Sequence, residues 1–171
     1  INLKGKIEEI LNSSLHELKI SPKIDVYIDA NNVVIDYELP NISFIPTVKE
    51  YKYFVSTNEI REKRYTDKYI NYLYEKVIYS IVLRSIHEVF YVDAEKMLQT
   101  ITFNGFVTNI NPYNGIMERK CILSIQVSRD VFSNIDLINV NPELCFKGLK
   151  GVSASRLIDI TPITPILTFN K

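Results

Sequence analysis

The chain has 171 residues, of which 20 are basic and 20 acidic, so its formal net charge is zero. A neutral chain has no global field that would draw it to nucleic acid or to an anionic membrane, and any such contact must come from a local patch. The hydrophobic share of 46% allows one sizeable core. The length therefore favours a single domain over residues 1–171.

Cysteine usage points to a reducing compartment, and hydropathy predicts no membrane-spanning segment. The two cysteines, Cys121 and Cys145, cannot staple a disulfide-rich scaffold and show no metal-ligand spacing. No signal peptide is visible, and the longest apolar runs are too short to cross a bilayer. We therefore expect a cytoplasmic protein without membrane contact. The opening on Ile1 and the extended, apolar end ITPILTFNK predict a fragment of a longer polypeptide.

The first third of the chain predicts a helix followed by a hairpin. Apolar residues share one helical stripe over residues 5–18, with His16 at its edge. Residues 24–39 alternate between apolar and polar on both sides of a short polar stretch, which predicts a β-hairpin. Asn31 and Asn32 tolerate a positive φ and are expected at its turn.

The middle of the chain predicts a strand, a loop and a long helix. Residues 48–56, VKEYKYFVS, alternate and predict a third strand, whereas the charged stretch 57–68 indicates an exposed loop or a short turn that leads into a helix. From Asp67 to Phe90, apolar residues recur at steps of three and four. This spacing predicts a single long helix with a broad apolar stripe, placed centrally in the fold.

The last part of the chain predicts two long strands, TITFNGFVTNI and RKCILSIQVS, joined by a turn at NPYNG. Short helical turns are expected near 129–134 and 141–149, the second capped by Asn141 with Pro142 at its first position. A strand-like segment follows at 153–160. This order predicts an α+β fold: a mainly antiparallel sheet packed on one long central helix, with an N-terminal helix and short C-terminal helical turns.

Three side chains near the end of the long helix are candidates for chemistry. Arg84 and Glu88 are four residues apart, so they face each other on a helix, and His87 lies three residues after Arg84. His87 could be a general base held by the Glu88 carboxylate, or Arg84 could contact a phosphate. The simpler interpretation is an ion pair with a histidine near the C-terminal end of the helix, where a cation is favoured.

A polar row on the predicted sheet is the second candidate. Ser124, Gln126 and Ser128 alternate with apolar residues and are followed by Arg129. On one face of a sheet they would form either a solvated surface or a binding surface for a partner or another domain. No base is placed beside either serine, so nucleophilic catalysis is not expected.

Basic and aromatic residues are interleaved between residues 48 and 65. Such a pattern can hold a nucleic-acid backbone and stack on bases, yet glutamates interrupt the basic residues and weaken the field. The alternative is a solvated strand edge and loop. The basic members are Lys49, Lys52, Arg61, Lys63 and Arg64, and the aromatic ones are Tyr51, Tyr53, Phe54 and Tyr65.

Several stretches together carry a resemblance: VIDYELPNISFIPTVKEYKY, VLRSIHEVF, TFNGFV, LSIQVSRDVF, CFKGLKG and LIDITPITPI. In this order they resemble the domain immediately before the nuclease domain in a family of bacterial Mrr-type restriction endonuclease-like proteins. The resemblance runs from about residue 33 to the end of the chain.

The resemblance implies that a nuclease domain of the PD-(D/E)xK type follows, which cleaves DNA with a divalent metal such as Mg²⁺ held by acidic residues. No cofactor is expected in this segment itself. The only look-alike of the family's Gln-x-Lys strand is Gln126-Val127-Ser128, and a serine cannot supply the charge of the lysine. This segment is therefore expected to be a companion of the nuclease domain, without catalytic residues of its own.

Two functions follow as expectations. The first is a non-catalytic accessory module of a defence-related DNA endonuclease, which positions the enzyme on DNA or on another subunit. The alternative is a protein–protein or oligomerisation module that regulates the nuclease, with an exposed apolar patch around Tyr51, Tyr53, Phe54 and Phe106. The residues expected to contact DNA or a partner are Arg61, Lys63, Arg64, Arg84, Ser124, Gln126, Ser128 and Arg129.

A third expectation, a hydrolase that uses His87 with Glu88, is the least favoured of the three. It requires the His87 ring to lie in a cleft that solvent can reach.

Overall fold

The computed structural model describes residues 2–15 and 22–169. Its main sheet has five strands, which lie side by side in the order β1–β2–β5–β6–β7. All neighbouring pairs are antiparallel except β2 and β5, which are parallel. The strands are β1 (Ile24–Asp29), β2 (Asn32–Glu38), β5 (Thr100–Ile110), β6 (Met117–Ser128) and β7 (Val152–Ser153).

The long helix α2 (Asp67–Val92) supplies much of the core, as its spacing predicted. Thr66 caps it by accepting a hydrogen bond from the backbone N–H of Tyr69 at 3.3 Å. Its buried residues pack in one hydrophobic core with the inner side of the sheet and with the helices on either side. A parallel pair such as β2 and β5 needs a crossover connection, and α2 is part of that connection. The predicted α+β fold with a mainly antiparallel sheet is confirmed.

The N-terminal helix α1 is shorter than the predicted 5–18. It spans Leu3–Ser13, and Asn2 caps it by accepting from the N–H of Gly5 at 3.1 Å. Ile7 and Leu11 are fully buried on its inner face. His16, which was predicted at the edge of this helix, lies outside the described residues.

The segment 57–68, expected as a loop, instead contains strand β4 (Glu59–Arg64). It pairs with β3 (Val48–Phe54) in a separate two-stranded antiparallel sheet, which we call the ribbon. The strand expected at 48–56 is thereby confirmed. The loop prediction was wrong because β4 carries a single apolar residue, Ile60, so no alternation is visible in its sequence.

The C-terminal helical turns are confirmed as α3 (Arg129–Phe132) and α4 (Pro142–Gly148). Asn141 caps α4 by accepting from the N–H of Leu144 at 3.1 Å, with Pro142 at the first position. The prediction of a strand over 153–160 was wrong. In this part of the chain only the two residues of β7 form a strand, which pairs with β6, and a short 3₁₀ turn follows at Leu157–Asp159.

The outer face of the main sheet is crossed by the segment 161–169, which has no regular secondary structure. The N–H of Ile163 donates to the carbonyl of Cys121 at 2.8 Å, and the ring of Phe169 stacks on Tyr27 with centroids 5.6 Å apart. A register shift between Gly105 and Phe106 pairs Cys121 with Phe106. The shift turns Cys121 away from the core face that Leu123 occupies.

The turn between β1 and β2 gives a prediction for stability. Ala30, and not Asn31 or Asn32 as expected, has a positive φ of 49°, a conformation that costs an L-residue free energy and glycine almost none. Replacement of Ala30 by glycine is therefore expected to raise the free energy of unfolding by about 0.5–1 kcal/mol in urea titrations. The matched control is Ala94→Gly, an exposed turn position without positive φ, where stability should fall. A loss at both positions would contradict the prediction.

Candidate partner-binding surface

The ribbon stands apart from the rest of the fold. Almost every residue of β3 and β4 is exposed, and the two strands pack mainly on each other. At the turn, Asn58 has a φ of 53°, and its side-chain oxygen accepts from the hydroxyl of Tyr53 at 2.6 Å. An isolated two-stranded ribbon is at best marginally stable in water. A ribbon of this kind gains stability when a partner covers it.

Directly paired residues share a face of the ribbon, and alternate residues along a strand point the same way. One of the two faces is therefore mostly charged. We call it the charged face; it consists of Glu50, Lys52, Phe54, Glu59, Arg61 and Lys63. Every cation on it is paired with a carboxylate. Arg61 pairs with Glu59 at 3.0 Å, while Lys63 and Lys52 both approach Glu50, at 3.2 and 3.8 Å. The hydrogen bond from Lys63, the largest cause, lowers the pKa of the Glu50 carboxyl.

The opposite face of the ribbon is rich in exposed apolar surface. We call it the tyrosine face; it consists of Tyr51, Tyr53, Ile60, Glu62 and Arg64. Tyr51, Tyr53 and Ile60 are 67%, 59% and 70% exposed. Arg64 pairs with Glu62 on the same face at 2.9 Å. Tyrosines that combine apolar area with a polar tip are enriched where proteins meet.

Of the aromatic residues expected in an apolar patch, those on the ribbon are exposed. Phe54 lies on the charged face, where the guanidinium of Arg61 lies over its ring at 5.0 Å. Phe106 lies elsewhere, on β5, half-buried beneath the guanidinium of Arg119 at 3.8 Å. The patch is therefore confined to the ribbon and does not include Phe106.

Arg129, expected at a contact surface, is instead engaged inside the fold. Its guanidinium hydrogen bonds to the carboxylate of Asp93 and donates to the carbonyl of Leu98 at 2.8 Å. It also lies over the ring of Phe90 at 4.6 Å. Asp93 is 3% exposed and accepts from the N–H of Leu98 at 2.7 Å. Arg129 ties the end of α2 to the start of α3 and is not free to contact a phosphate.

The predicted polar row divides between buried and exposed residues. Ser124 is fully buried; its hydroxyl donates to Asn104 at 2.8 Å and accepts from the N–H of Ile166 at 3.0 Å. Segment 161–169 therefore covers Ser124, which does not lie at the surface. Gln126 and Ser128 are exposed, but Gln126 donates to Thr102 at 3.0 Å, and Ser128 caps α3.

Arg84, His87 and Glu88 do not form an acid–base unit. Arg84 Nε donates to Glu88 Oε1 at 2.8 Å, as the helical spacing indicated. Adjacent helical residues such as His87 and Glu88 do not face each other. The Glu88 side chain is 15% exposed and its Oε2 is buried. Glu88 therefore points toward the core, whereas His87 is exposed to solvent.

His87 does lie at a cleft. Its exposed ring stacks on Tyr91, with centroids 6.3 Å apart, and lines two adjoining clefts of about 290 and 480 Å³. The serines in these clefts, Ser80 and Ser133, donate their hydroxyls to backbone carbonyls at 2.7 and 3.1 Å. The cleft condition for a hydrolase is met, but neither serine is paired with the histidine as a nucleophile requires.

Among residues 2–15 and 22–169, no three His, Cys, Asp or Glu side chains are grouped so that they could hold a metal ion. None of the helices in those ranges combines the length and the apolar character that a bilayer crossing requires.

Sequence reasoning identified the tyrosines of this surface but missed Glu59 and Ile60, because β4 was expected to be a loop. The only available signal was the position of Ile60 between charged residues. Comparisons of the chain with models of protein families, with curated proteins and with solved structures gave no match. The resemblance to the Mrr-type proteins therefore stays a prediction.

Proposed function

We propose that this chain is a non-catalytic protein-interaction module that binds another polypeptide through the tyrosine face of its ribbon. The observation that carries the proposal is the exposure of Tyr51, Tyr53 and Ile60 on a ribbon that packs on little else. Burial of such side chains contributes roughly 1.5–3 kcal/mol each. A protein partner would supply the apolar surface that the chain itself does not provide.

The context of this module rests on the resemblance. Following the Mrr-type proteins, we propose that it serves a restriction-type, defence-related DNA endonuclease in the cytoplasm. In that arrangement, Mg²⁺ and the catalytic carboxylates belong to the nuclease domain, and this chain regulates or positions that domain by binding a subunit.

Positioning on DNA is a second candidate function, and the geometry of the ribbon favours it. The major groove of B-DNA admits a two-stranded β-ribbon, and Lys52, Arg61 and Lys63 share one face. Against this, the stretch 48–64 has five basic and three acidic residues, a weak excess beside the strongly positive surfaces that bind DNA. Each cation on the charged face is also paired with a glutamate.

A photo-cross-linking experiment tests the protein-binding role. A photoreactive amino acid in place of Tyr51, in the full-length protein in its cells, is expected to link to a polypeptide. The control is the same replacement of Tyr91, which is exposed on α2 and should give no product. Absence of a product at Tyr51, or equal products at both positions, would overturn the proposal.

A salt series with a short DNA duplex separates the two candidates. We expect no appreciable binding even at low salt. Binding that falls steeply with salt, with a slope reduced by about one unit in Arg61→Gln, would replace the protein-binding role by the DNA role.

A further inference from the structure

From the pairing geometry of β4, we infer that the partner of the ribbon is a second copy of this chain, joined edge to edge through β4. This inference rests on the protein-binding role proposed above and names the partner. It starts from the free edge of β4: within the described residues, β3 is the only strand that pairs with it, and all six of its residues are exposed.

An open strand edge can add another strand by backbone hydrogen bonding. In a symmetric antiparallel pair with a two-fold axis perpendicular to the sheet, both copies keep the same face upward, and the axis passes midway between the two copies of one residue. On β4 that residue can be Ile60, Arg61, Glu62 or Lys63. Charge decides among these registers.

An axis at Arg61, Glu62 or Lys63 places two copies of that charged residue opposite each other, although the Arg61 register also brings Glu59 opposite Lys63. Like charges directly opposite on neighbouring strands are destabilising. An axis at Ile60 instead places Glu59 opposite Arg61 of the second copy, twice by symmetry. Arg61 pairs with Glu59 of its own strand, and both side chains are exposed. An exposed ion pair contributes little free energy, so replacing it by a pair with Glu59 of the second copy costs little.

The same register completes the tyrosine face. Tyr53 is paired with Ile60 across the ribbon, so an axis at Ile60 produces a continuous apolar row that runs Tyr53, Ile60, Ile60, Tyr53 over four strands. Cross-strand aromatic and β-branched pairs stabilise such a sheet. Four strands with an apolar row also remove the marginal stability of a two-stranded ribbon.

The outer edge of β3 is a poorer site for the same contact. The pairing of β3 shifts register between Val48 and Glu50, and such an irregularity disrupts the regular ladder that a new strand needs. An axis at Tyr51 would also place Glu62 at both ends of the row, since Tyr51 is paired with Glu62. An axis at Tyr53 would give an apolar row but would place Lys52 opposite Phe54, so that no opposite charges meet. The β4 edge combines the apolar row and two opposite-charge pairs in one register.

Cysteine cross-linking tests this register. In Ile60→Cys the two introduced thiols would lie directly opposite at the axis, within reach of a disulfide. Mild oxidation is expected to give a covalent dimer on non-reducing gels. In the control Glu62→Cys, on the same face of the same strand, the two introduced thiols would lie about 14 Å apart and should not link. Wild type gives the background of the native cysteines; burial raises the pKa of the Cys121 thiol to about 11.

Charge reversal gives a second, independent measurement. Glu59→Arg and Arg61→Glu are each expected to weaken self-association at least tenfold in sedimentation experiments, and the double variant should restore it. All these positions are exposed, so the core should fold normally. Equal covalent dimer in Ile60→Cys and Glu62→Cys, or single reversals without effect, would overturn the inference. If the photoreactive group at Tyr51 links to a different polypeptide while Ile60→Cys gives no covalent dimer, the second-copy inference fails and the protein-binding role stands.

Discussion

Replacement of Arg129 by alanine is expected to lower the free energy of unfolding by about 3–5 kcal/mol, the largest effect that we predict. The Arg129 side chain is 15% exposed and that of Asp93 2% exposed. Alanine would leave the Asp93 carboxylate buried without its cation. It would also remove the donor to the Leu98 carbonyl and the stacking on Phe90. Urea unfolding followed by circular dichroism measures the loss.

The matched control for this variant is Arg84→Ala. Arg84 also pairs with a carboxylate, that of Glu88, but its side chain is 57% exposed. An exposed pair at this helical spacing contributes about 0.3–0.5 kcal/mol. A loss in Arg129→Ala no greater than that in Arg84→Ala would contradict the structural role of Arg129.

Replacement of Gly151 by alanine is expected to destabilise the protein by about 1–3 kcal/mol. A Cβ atom at this position would overlap both Cε1 and Cζ of Phe146. The Phe146 ring cannot easily move, because it is fully buried and packs on Tyr79 with centroids 5.0 Å apart. The overpacking must be relieved by backbone or ring displacement. Thermal unfolding should show a lower midpoint.

Gly148→Ala is the control for this second variant. Gly148 ends α4 three residues earlier, and a Cβ there meets no heavy atom within 4 Å. Alanine at such a position restricts the unfolded chain and should leave stability unchanged or raise it by up to about 1 kcal/mol. Equal losses at Gly148 and Gly151 would show that contact with Phe146 is not the cause.

Much of the fold could be predicted because its signals are local. The spacing of apolar residues between Asp67 and Phe90 specifies a helix whatever surrounds it. Asn141 followed by Pro142 specifies the start of α4 in the same way. The helical pair Arg84 and Glu88 also follows from a spacing of four residues.

The candidate site could be predicted only in part. Tyr51 and Tyr53 were identified from the sequence because they alternate within β3. The edge residues Glu59 and Ile60 were not, since β4 becomes a strand through pairing with β3 and not through an apolar period of its own. The basic residues Arg61, Lys63 and Arg64 were identified correctly as exposed, but their glutamate partners are set by which residues share a face.

The sequence by itself determined the helices, most strands and the α+β class, because these depend on neighbours a few residues apart. Only the tertiary structure decided the role of Arg129, which meets Asp93 across 36 residues of chain, and the burial of Ser124 beneath Ile166, 42 residues away. Such contacts depend on how the sheet, α2 and the C-terminal segment pack. The same packing leaves the ribbon uncovered, and it is on this surface that we propose a second copy binds.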